Sequence, residues 1–396
     1  MATFRLRHFS NPQVLRGVAP HRLLAFLNPY RNFFIGRDYE LPADVSEELD
    51  YERLVDIFMT PMESTPTDLV DALFLIDEMS SQFGMATLID ATEREGCILE
   101  EGDDHTPADI AIQVWLFNPD ILERQHAEQA LYKRKSFEYF HMENEHPPTF
   151  PGFSTATQRR MEEEMNDWFE SKKRGRGVRV FAYPDGHEVR FLIRHGEPFK
   201  REETMSGPEA GSVCYRPLKY DVVVYDIRLG ELRINASLVS EKRFYREQFG
   251  KHIFGNVECF PGTAKYTLEP LREYGAASLA CFEVEEIESI VLTEVQFYWG
   301  GPHGEIEIRK ASDVFSALEN SGRNFPERAR IIKAGFKVKF ADSKTPRPVK
   351  IRPANIADYT RDADAIAVER WLSLRGFMIN QEAGDRGEAA QALASA

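Results

Sequence analysis

An α+β fold is predicted by a switch in apolar periodicity along the chain and by a switch in charge at the same place. Residues 1–171 repeat apolar side chains at helical spacing. After residue 176, alternating runs rich in β-branched and aromatic residues take over. Residues 1–171 hold 32 Asp/Glu against 14 Lys/Arg, and the remainder holds 32 against 35. The predicted architecture is a mostly helical, acidic N-terminal domain followed by a β-rich, largely antiparallel C-terminal part with inserted helices.

Two helix starts share one chemistry. Thr65-Pro66-Thr67-Asp68 precedes Leu69, Leu73 and Ile76, and Thr106-Pro107-Ala108-Asp109 precedes Ile110, Val114 and Phe117. Each threonine is placed to accept at the N-cap. Each proline suits the first helical position, and each aspartate faces the positive helix end. Further helices are expected over 20–34 and 50–58, and one continuous helix over 120–140. Six or seven helices are expected before residue 172.

The stretch from Lys172 to Arg179 is basic and interrupted by glycine, which reads as an exposed linker. Lys172, Lys173, Arg174, Arg176 and Arg179 are the residues expected to touch phosphate or nucleic acid there. The domain boundaries that follow are 1–171, a linker at 172–179 and a β-rich domain at 180–380. A further division near 310 is left open, and 381–396 reads as a flexible tail.

Pro184-Asp185-Gly186 and Leu229-Gly230 are turn signals between paired runs, so two hairpins are expected. The second places Val222, Val224 and Asp226 on one face and Val223, Tyr225 and Ile227 on the other. Strands are also expected over 289–299, 304–310, 334–342 and 347–353, with helices over 240–254, 311–320 and 363–377. Gly376 is the expected stop of the last helix, whose Leu372 and neighbouring Phe377 pack back on the sheet.

The composition narrows the classes. With 28 Phe among 396 residues, aromatic cores are expected. No apolar run approaches the roughly 18 residues of a membrane span, and the N-terminus lacks a secretory pattern. The four cysteines, Cys97, Cys214, Cys259 and Cys281, are far apart. They are expected as reduced, mostly buried thiols in a soluble cytoplasmic protein, with no disulfide framework and no zinc site. The acidic half repels phosphate, so nucleic acid is an expected partner only for the C-terminal half.

Three constellations carry candidate chemistry. Leu192-Ile193-Arg194-His195-Gly196-Glu197 resembles the signature of the histidine phosphatase (phosphoglycerate-mutase-like) family. That resemblance implies a phosphorylated His195, a phosphate grip by Arg194, and a site completed by Glu197 and a second histidine, for which His303 is the candidate. Asp221, Asp226 and Glu231, with Arg233, resemble the carboxylate hairpin of metal nucleases, which holds a hard cation. His141, Glu143, Glu145 and His146 form a third cluster, expected at a helix terminus, where only His141 and Glu145 share a face.

No P-loop, GxGxxG, GxSxG or HExxH pattern occurs, and no cofactor is expected. The reading carried forward is a non-catalytic interaction or regulatory component of a bacterial multi-protein system, docking a protein partner through residues 1–171. The alternatives are a phosphoester or nucleic-acid hydrolase using His195 or the Asp221–Glu231 hairpin, and a nucleic-acid-binding protein acting through the C-terminal half.

Overall fold

Phe137 and Tyr139 alternate with Glu138 and Phe140 in the short strand β1, Ser136–His141, and aromatic residues of this kind favour a pleated, buried setting. β1 lies fifth in a ten-stranded sheet. The structure, a computed structural model, describes all residues except 1–4, 47–48, 97, 101–104, 133, 144–147, 207–208, 361–363 and 380–396. It divides into two compact units, Met1–Ala130 with Glu202–Val213, and Leu131–Arg201 with Cys214–Ala396.

The first unit is helical: α1 (Pro12–Arg16), α2 (Pro20–Leu27), α3 (Arg31–Ile35), α4 (Tyr51–Met59), α5 (Thr67–Met79), α6 (Gln82–Arg94), α7 (Pro107–Phe117) and most of α8 (Pro119–Tyr132). Thr106 caps α7 as expected, accepting the Asp109 N–H at 3.2 Å, with Pro107 in the first turn. Thr65 does not cap α5. Its hydroxyl accepts the Met62 N–H at 2.8 Å, and the helix starts at Thr67 after an extended Pro66. α6 begins so close to the end of α5 that a Cβ at Gly84 would sit 2.2 Å from the Met79 carbonyl oxygen. Only glycine permits that approach.

Phe9, Phe34 and Phe58 meet in the core of this unit, with both of Phe58's ring contacts at 6.4 Å. One buried carboxylate ties the chain's start to that core. Asp77 on α5 accepts the backbone N–H groups of Arg7, His8 and Phe9 at 2.7, 2.8 and 2.8 Å.

The second unit contains β1 and α9 (Thr155–Ser171), then β2 (Arg179–Asp185), β3 (Glu188–Gly196), β4 (Lys200–Ser206), β5 (Glu209–Tyr215), β6 (Leu218–Asp226) and β7 (Glu231–Asn235). Of these strands, most of β4 and β5, within Glu202–Val213, groups with the first unit. There follow α10 (Val239–Phe254), α11 (Pro270–Glu273), β8 (Ile287–Gly300), β9 (Glu305–Lys310), α12 (Val314–Ser321), β10 (Arg330–Phe340), β11 (Arg347–Arg352), β12 (Ile356–Asp358) and α13 (Ala365–Leu374). The strand order is β2-β3-β6-β7-β1-β12-β11-β10-β8-β9, while β4 and β5 form a separate two-stranded sheet. Every pairing in the large sheet is antiparallel.

Three expectations change here. The helix expected over 120–140 stops at Tyr132, and its last part is β1. The seam between units falls at Ala130/Leu131, upstream of Lys172–Arg179, because β1 and α9 belong to the sheet. Strands on both sides of residue 310 share one ladder, β8 pairing with β9 and with β10.

α9 and α10 cover one face of the β2-β3-β6-β7-β1 half. Val189, Phe191, Ile193, Val223, Tyr225 and Ile234 meet Met161, Met165, Phe169 and Phe249 there. α13 packs on the other face, its Trp371 lying 5.2 Å from Phe336 and 5.3 Å from Phe377. Gly376, at φ +70°, ends it, and the Phe377 N–H reaches the Leu372 carbonyl at 2.8 Å. Among the described residues, no helix is long and apolar enough to cross a membrane. Cys214 is exposed, contrary to the expected burial, and Cys259 and Cys281 are half-buried; Cys97 lies outside the described residues.

Removing the Asp77 carboxylate leaves three N–H groups without their acceptor. Asp77→Ala is therefore expected to destabilise the protein by roughly 3 kcal/mol or more. Asp77→Asn, which keeps one acceptor oxygen, should cost less. Urea denaturation of both variants measures the ordering, and equal stabilities would contradict it.

Candidate functional site: a charged cleft beside the last helix

Alternation divides the chemistry of β3, β6 and β7 between two faces. Asp221 shares its face with Val223 and Tyr225, whereas Asp226 lies on the opposite face, in register with Glu188 on β3 and Glu231 on β7. The three carboxylates of the nuclease-like reading therefore do not converge. Asp221 belongs to the dry side under α9 and α10, and Asp226 and Glu231 line an open cleft facing α13.

On the dry side His195 is fully buried. Its Nε2 is 3.0 Å from Asp221 Oδ2, its Nδ1 is 2.9 Å from the Gly196 carbonyl oxygen, and its ring stacks on Phe169 at 4.1 Å. Asp221 also accepts from the Tyr245 hydroxyl at 3.0 Å and pairs with Lys219 at 3.1 Å. Glu241, buried beside it, pairs with Lys219 and Arg174. Burial alone would push the Asp221 carboxyl up. The His195 hydrogen bond and the Lys219 charge outweigh it and hold the group below its ordinary value of 3.8.

The phosphatase expectation fails on this geometry. His195 sits on an antiparallel strand with no exposed ring, and His303 is exposed in the β8–β9 turn. Six strands lie between β3 and β8, which at the usual strand spacing separates them by about 30 Å. Arg194 lies over the Phe181 ring at 5.8 Å, and Glu197 pairs with Lys200 at 2.7 Å.

The third cluster disperses too. His141 ends β1, with its ring against Gly262, where a Cβ would meet Nε2 at 2.2 Å. Glu143 is exposed just past the strand, and Glu145 and His146 lie outside the described residues.

The basic stretch is largely engaged with neighbouring acids. Arg174 pairs with Glu241, Arg176 with Asp167 and Glu170 at 2.7 and 2.8 Å, and Arg179 with Glu162 at 3.2 Å. Lys172 lies over the Trp168 ring, and Lys173 is exposed. Charges compensated in this way offer little net attraction to a phosphate backbone.

The cleft, of about 760 Å³, lies between the β2–β3 and β6–β7 turns, the charged face of β3 and β7, Lys265, α13 and Met378. Its floor is a buried ion pair. Lys265 Nζ donates to both Glu231 oxygens at 2.6 Å, 4.0 Å from the Tyr139 ring centroid and 5.8 Å from that of Tyr266. Beside it, Arg233 reaches Glu188 at 2.7 Å, and Arg190 pairs with Asp185 at 3.0 Å and with Glu188 at 3.3 Å. Asp226 Oδ1 accepts the turn N–H groups of Arg228 and Leu229 at 2.9 and 3.0 Å.

His187, Glu188 and Asp226 bring one ligand atom each within 4.8 Å of one another, as do His195, Asp221 and Glu241. In both sets the protein's own cations stand where a metal would. Arg233 and Arg190 hold Glu188, Arg228 is 2.9 Å from His187 Nε2, and Lys219 with Arg174 hold the buried set. A metal ion would have to displace them against like-charge repulsion.

Part of the cleft had a sequence signal. Glu188 and Arg190 alternate with Val189 and Phe191, as Glu231 and Arg233 do with Leu232 and Ile234, so a charged face was readable. Lys265 and Arg370 had none, because a distant loop and a distant helix bring them to that face, whereas His187 and Arg228 sit in the two hairpin turns themselves. Compared with models of known protein families and with curated protein sequences, the chain matches none.

Two stability outcomes follow. Glu231→Leu alone leaves Lys265 buried and unpaired, and is expected to cost about 3–5 kcal/mol. Adding Lys265→Met should recover most of that loss in urea denaturation. A double variant as unstable as the single would contradict this account.

Asp221, with its lowered native pKa, contributes stability that is complete above 3.8 and fades as pH falls toward the native value. The stability gap between wild type and Asp221→Asn should therefore be wider at pH 7 than at pH 3. A gap unchanged with pH would refute the assignment.

Proposed function

We propose that this chain is a non-catalytic component of a multi-protein system, and that its acidic helical unit docks a protein partner through a basic surface on that partner. The observation that supports it most is the charge distribution of the first unit. Met1–Ala130 with Glu202–Val213 holds 27 Asp/Glu against 9 Lys/Arg, and all nine bases are arginine.

Most of these arginines are turned onto the unit itself. Arg16 pairs with Glu52 at 2.9 Å and Arg124 with Glu95 at 2.7 Å, and buried Arg22 holds Asp109 and Glu100. Arg31, Arg37 and Arg53 donate to the carbonyls of Pro42, Thr60 and Arg37 at 2.7, 3.1 and 3.0 Å. The planar guanidinium suits such multiple acceptors better than an ammonium would. Asp56, Glu63, Asp71, Asp90, Glu93 and Glu123 stay exposed, and so do the apolar side chains of Met62, Phe83 and Phe117. A surface of one sign attracts a partner of the other sign over roughly a Debye length, about 8 Å at physiological salt. Apolar contacts can then hold the complex.

Recovery of the partner with the full chain from its native host should fall steeply as salt is raised. It should fall again in the triple variant Asp56→Lys, Asp71→Lys, Glu93→Lys, whose substituted side chains are exposed and leave folding intact. Partner recovery that is indifferent to both salt and charge reversal would rule the reading out.

A further inference from the structure

The ten-stranded sheet has two edges, β2 and β9. Pro184 blunts β2, because proline lacks the N–H that a further strand would use. β9 has no proline. It alternates Ile306 and Ile308, which are 51% and 53% exposed, with Glu307 and Arg309. Its pairing with β8 runs without a break from Ile306 to Lys310. Just beyond, the Ala311 N–H donates to the Thr293 carbonyl at 3.2 Å. Hydrogen-bonding direction alternates along an antiparallel ladder. Glu307 and Arg309 therefore turn their main-chain groups toward β8, while Ile306, Ile308 and Lys310 turn theirs outward. Among the described residues, no strand or loop pairs with these outward groups. An open edge of this kind is a template for another strand.

We propose that β9 pairs antiparallel with β9 of a second copy of this chain, joining two sheets across a two-fold axis at Ile308. Charge order along the strand selects this occupant. Charges of one sign would hold two copies apart, but here Glu305 and Glu307 are followed by Arg309 and Lys310. Reversing one copy sets acids against bases. Directly opposed residues must share a face, so the axis passes through a residue. An axis at Glu307 or at Arg309 would oppose that side chain to itself, and one at Ile306 would oppose Glu305 to Glu307, all repulsive. With the axis at Ile308, Glu307 of each copy lies opposite Arg309 of the other. Ile308 then faces Ile308, Ile306 faces Lys310, and each of these outward-turned pairs exchanges two main-chain hydrogen bonds. Within one copy Arg309 meets Glu307 at 2.7 Å, so the second copy closes a ring of alternating charge. On the opposite face, Ile306 and Ile308 of both copies leave water beside Tyr298. The edge belongs to the sheet unit, and its pairing does not depend on the docking role of the helical unit.

Sedimentation velocity of the full chain over a dilution series tests this. The wild type is expected to show a monomer–dimer equilibrium. Ile308→Pro removes an outward N–H and leaves the ladder with β8 intact, and it should abolish the dimer. Glu307→Arg should weaken the dimer by about tenfold or more, because two attractive pairs become repulsive. Exchanging both charges, Glu307→Arg with Arg309→Glu, should restore it, since opposite signs face each other again. Phe83→Ser, at an exposed position in the helical unit, should dimerise as the wild type does. Circular dichroism confirms folding of each variant. A wild type that stays monomeric throughout the series would overturn the proposal. So would a dimer that survives Ile308→Pro, or a folded exchange variant no more associated than Glu307→Arg alone.

Discussion

The sheet unit depends on β1. Among the described residues, this six-residue strand is the one that joins two antiparallel runs of the sheet, β2-β3-β6-β7 on one side and β12-β11-β10-β8-β9 on the other. Both of its edges are satisfied. β7 pairs with Glu138 through His141, β12 pairs with Ser136 through Glu138, and beyond β12 the ladder is continued by single residues. The Tyr139 N–H donates to the Asn355 carbonyl at 2.9 Å, and the Asn355 side chain donates back to the Tyr139 carbonyl at 2.7 Å. His141 and Gly262 exchange both backbone hydrogen bonds at 3.0 Å. A central strand buried on both faces cannot leave these groups open, because each unpaired one would cost about 1–3 kcal/mol.

β1 also separates two environments. Phe140 faces the aromatic core under α9 and α10, whereas Tyr139, on the other face, packs with Tyr266 beneath Lys265, their rings at 5.6 Å. The ammonium of Lys265 lies over the Tyr139 ring and is neutralised by Glu231. One face of β3, β6, β7 and β1 is thus filled and closed, and on the other β3, β6 and β7 present charged side chains to the open cleft. The strand period of two produces this directly, since neighbouring residues must point to opposite sides. It also explains why Asp221 and Asp226, which look like partners in sequence, have different fates.

Ion pairing in the two units differs in kind. In the helical unit, arginines are committed to carboxylates and main-chain carbonyls, and the surplus that remains is negative. In the cleft of the sheet unit, Asp185, Glu188 and Glu231 are committed to Arg190, Arg233 and Lys265. Charge over the second unit is near balance, at 37 Asp/Glu against 40 Lys/Arg.

Sequence alone determined the α+β class, both hairpins around Pro184-Asp185-Gly186 and Leu229-Gly230, the Thr106 cap, the face assignment of β6 and the closing helix ended by Gly376. Each of these rests on a local rule of period, turn or cap that needs no knowledge of the rest of the chain. Tertiary structure decided β1, whose six residues continue a helical run and are too short for periodicity to identify. It also decided that Thr65 would close a turn and leave α5 uncapped, that His195 would be sealed under Phe169, and that Lys265 and Arg370 would join Glu231 and Arg228 at one cleft. Those outcomes depend on which distant segments meet, and the pairing of β1 with β7 and β12 is what brings them together.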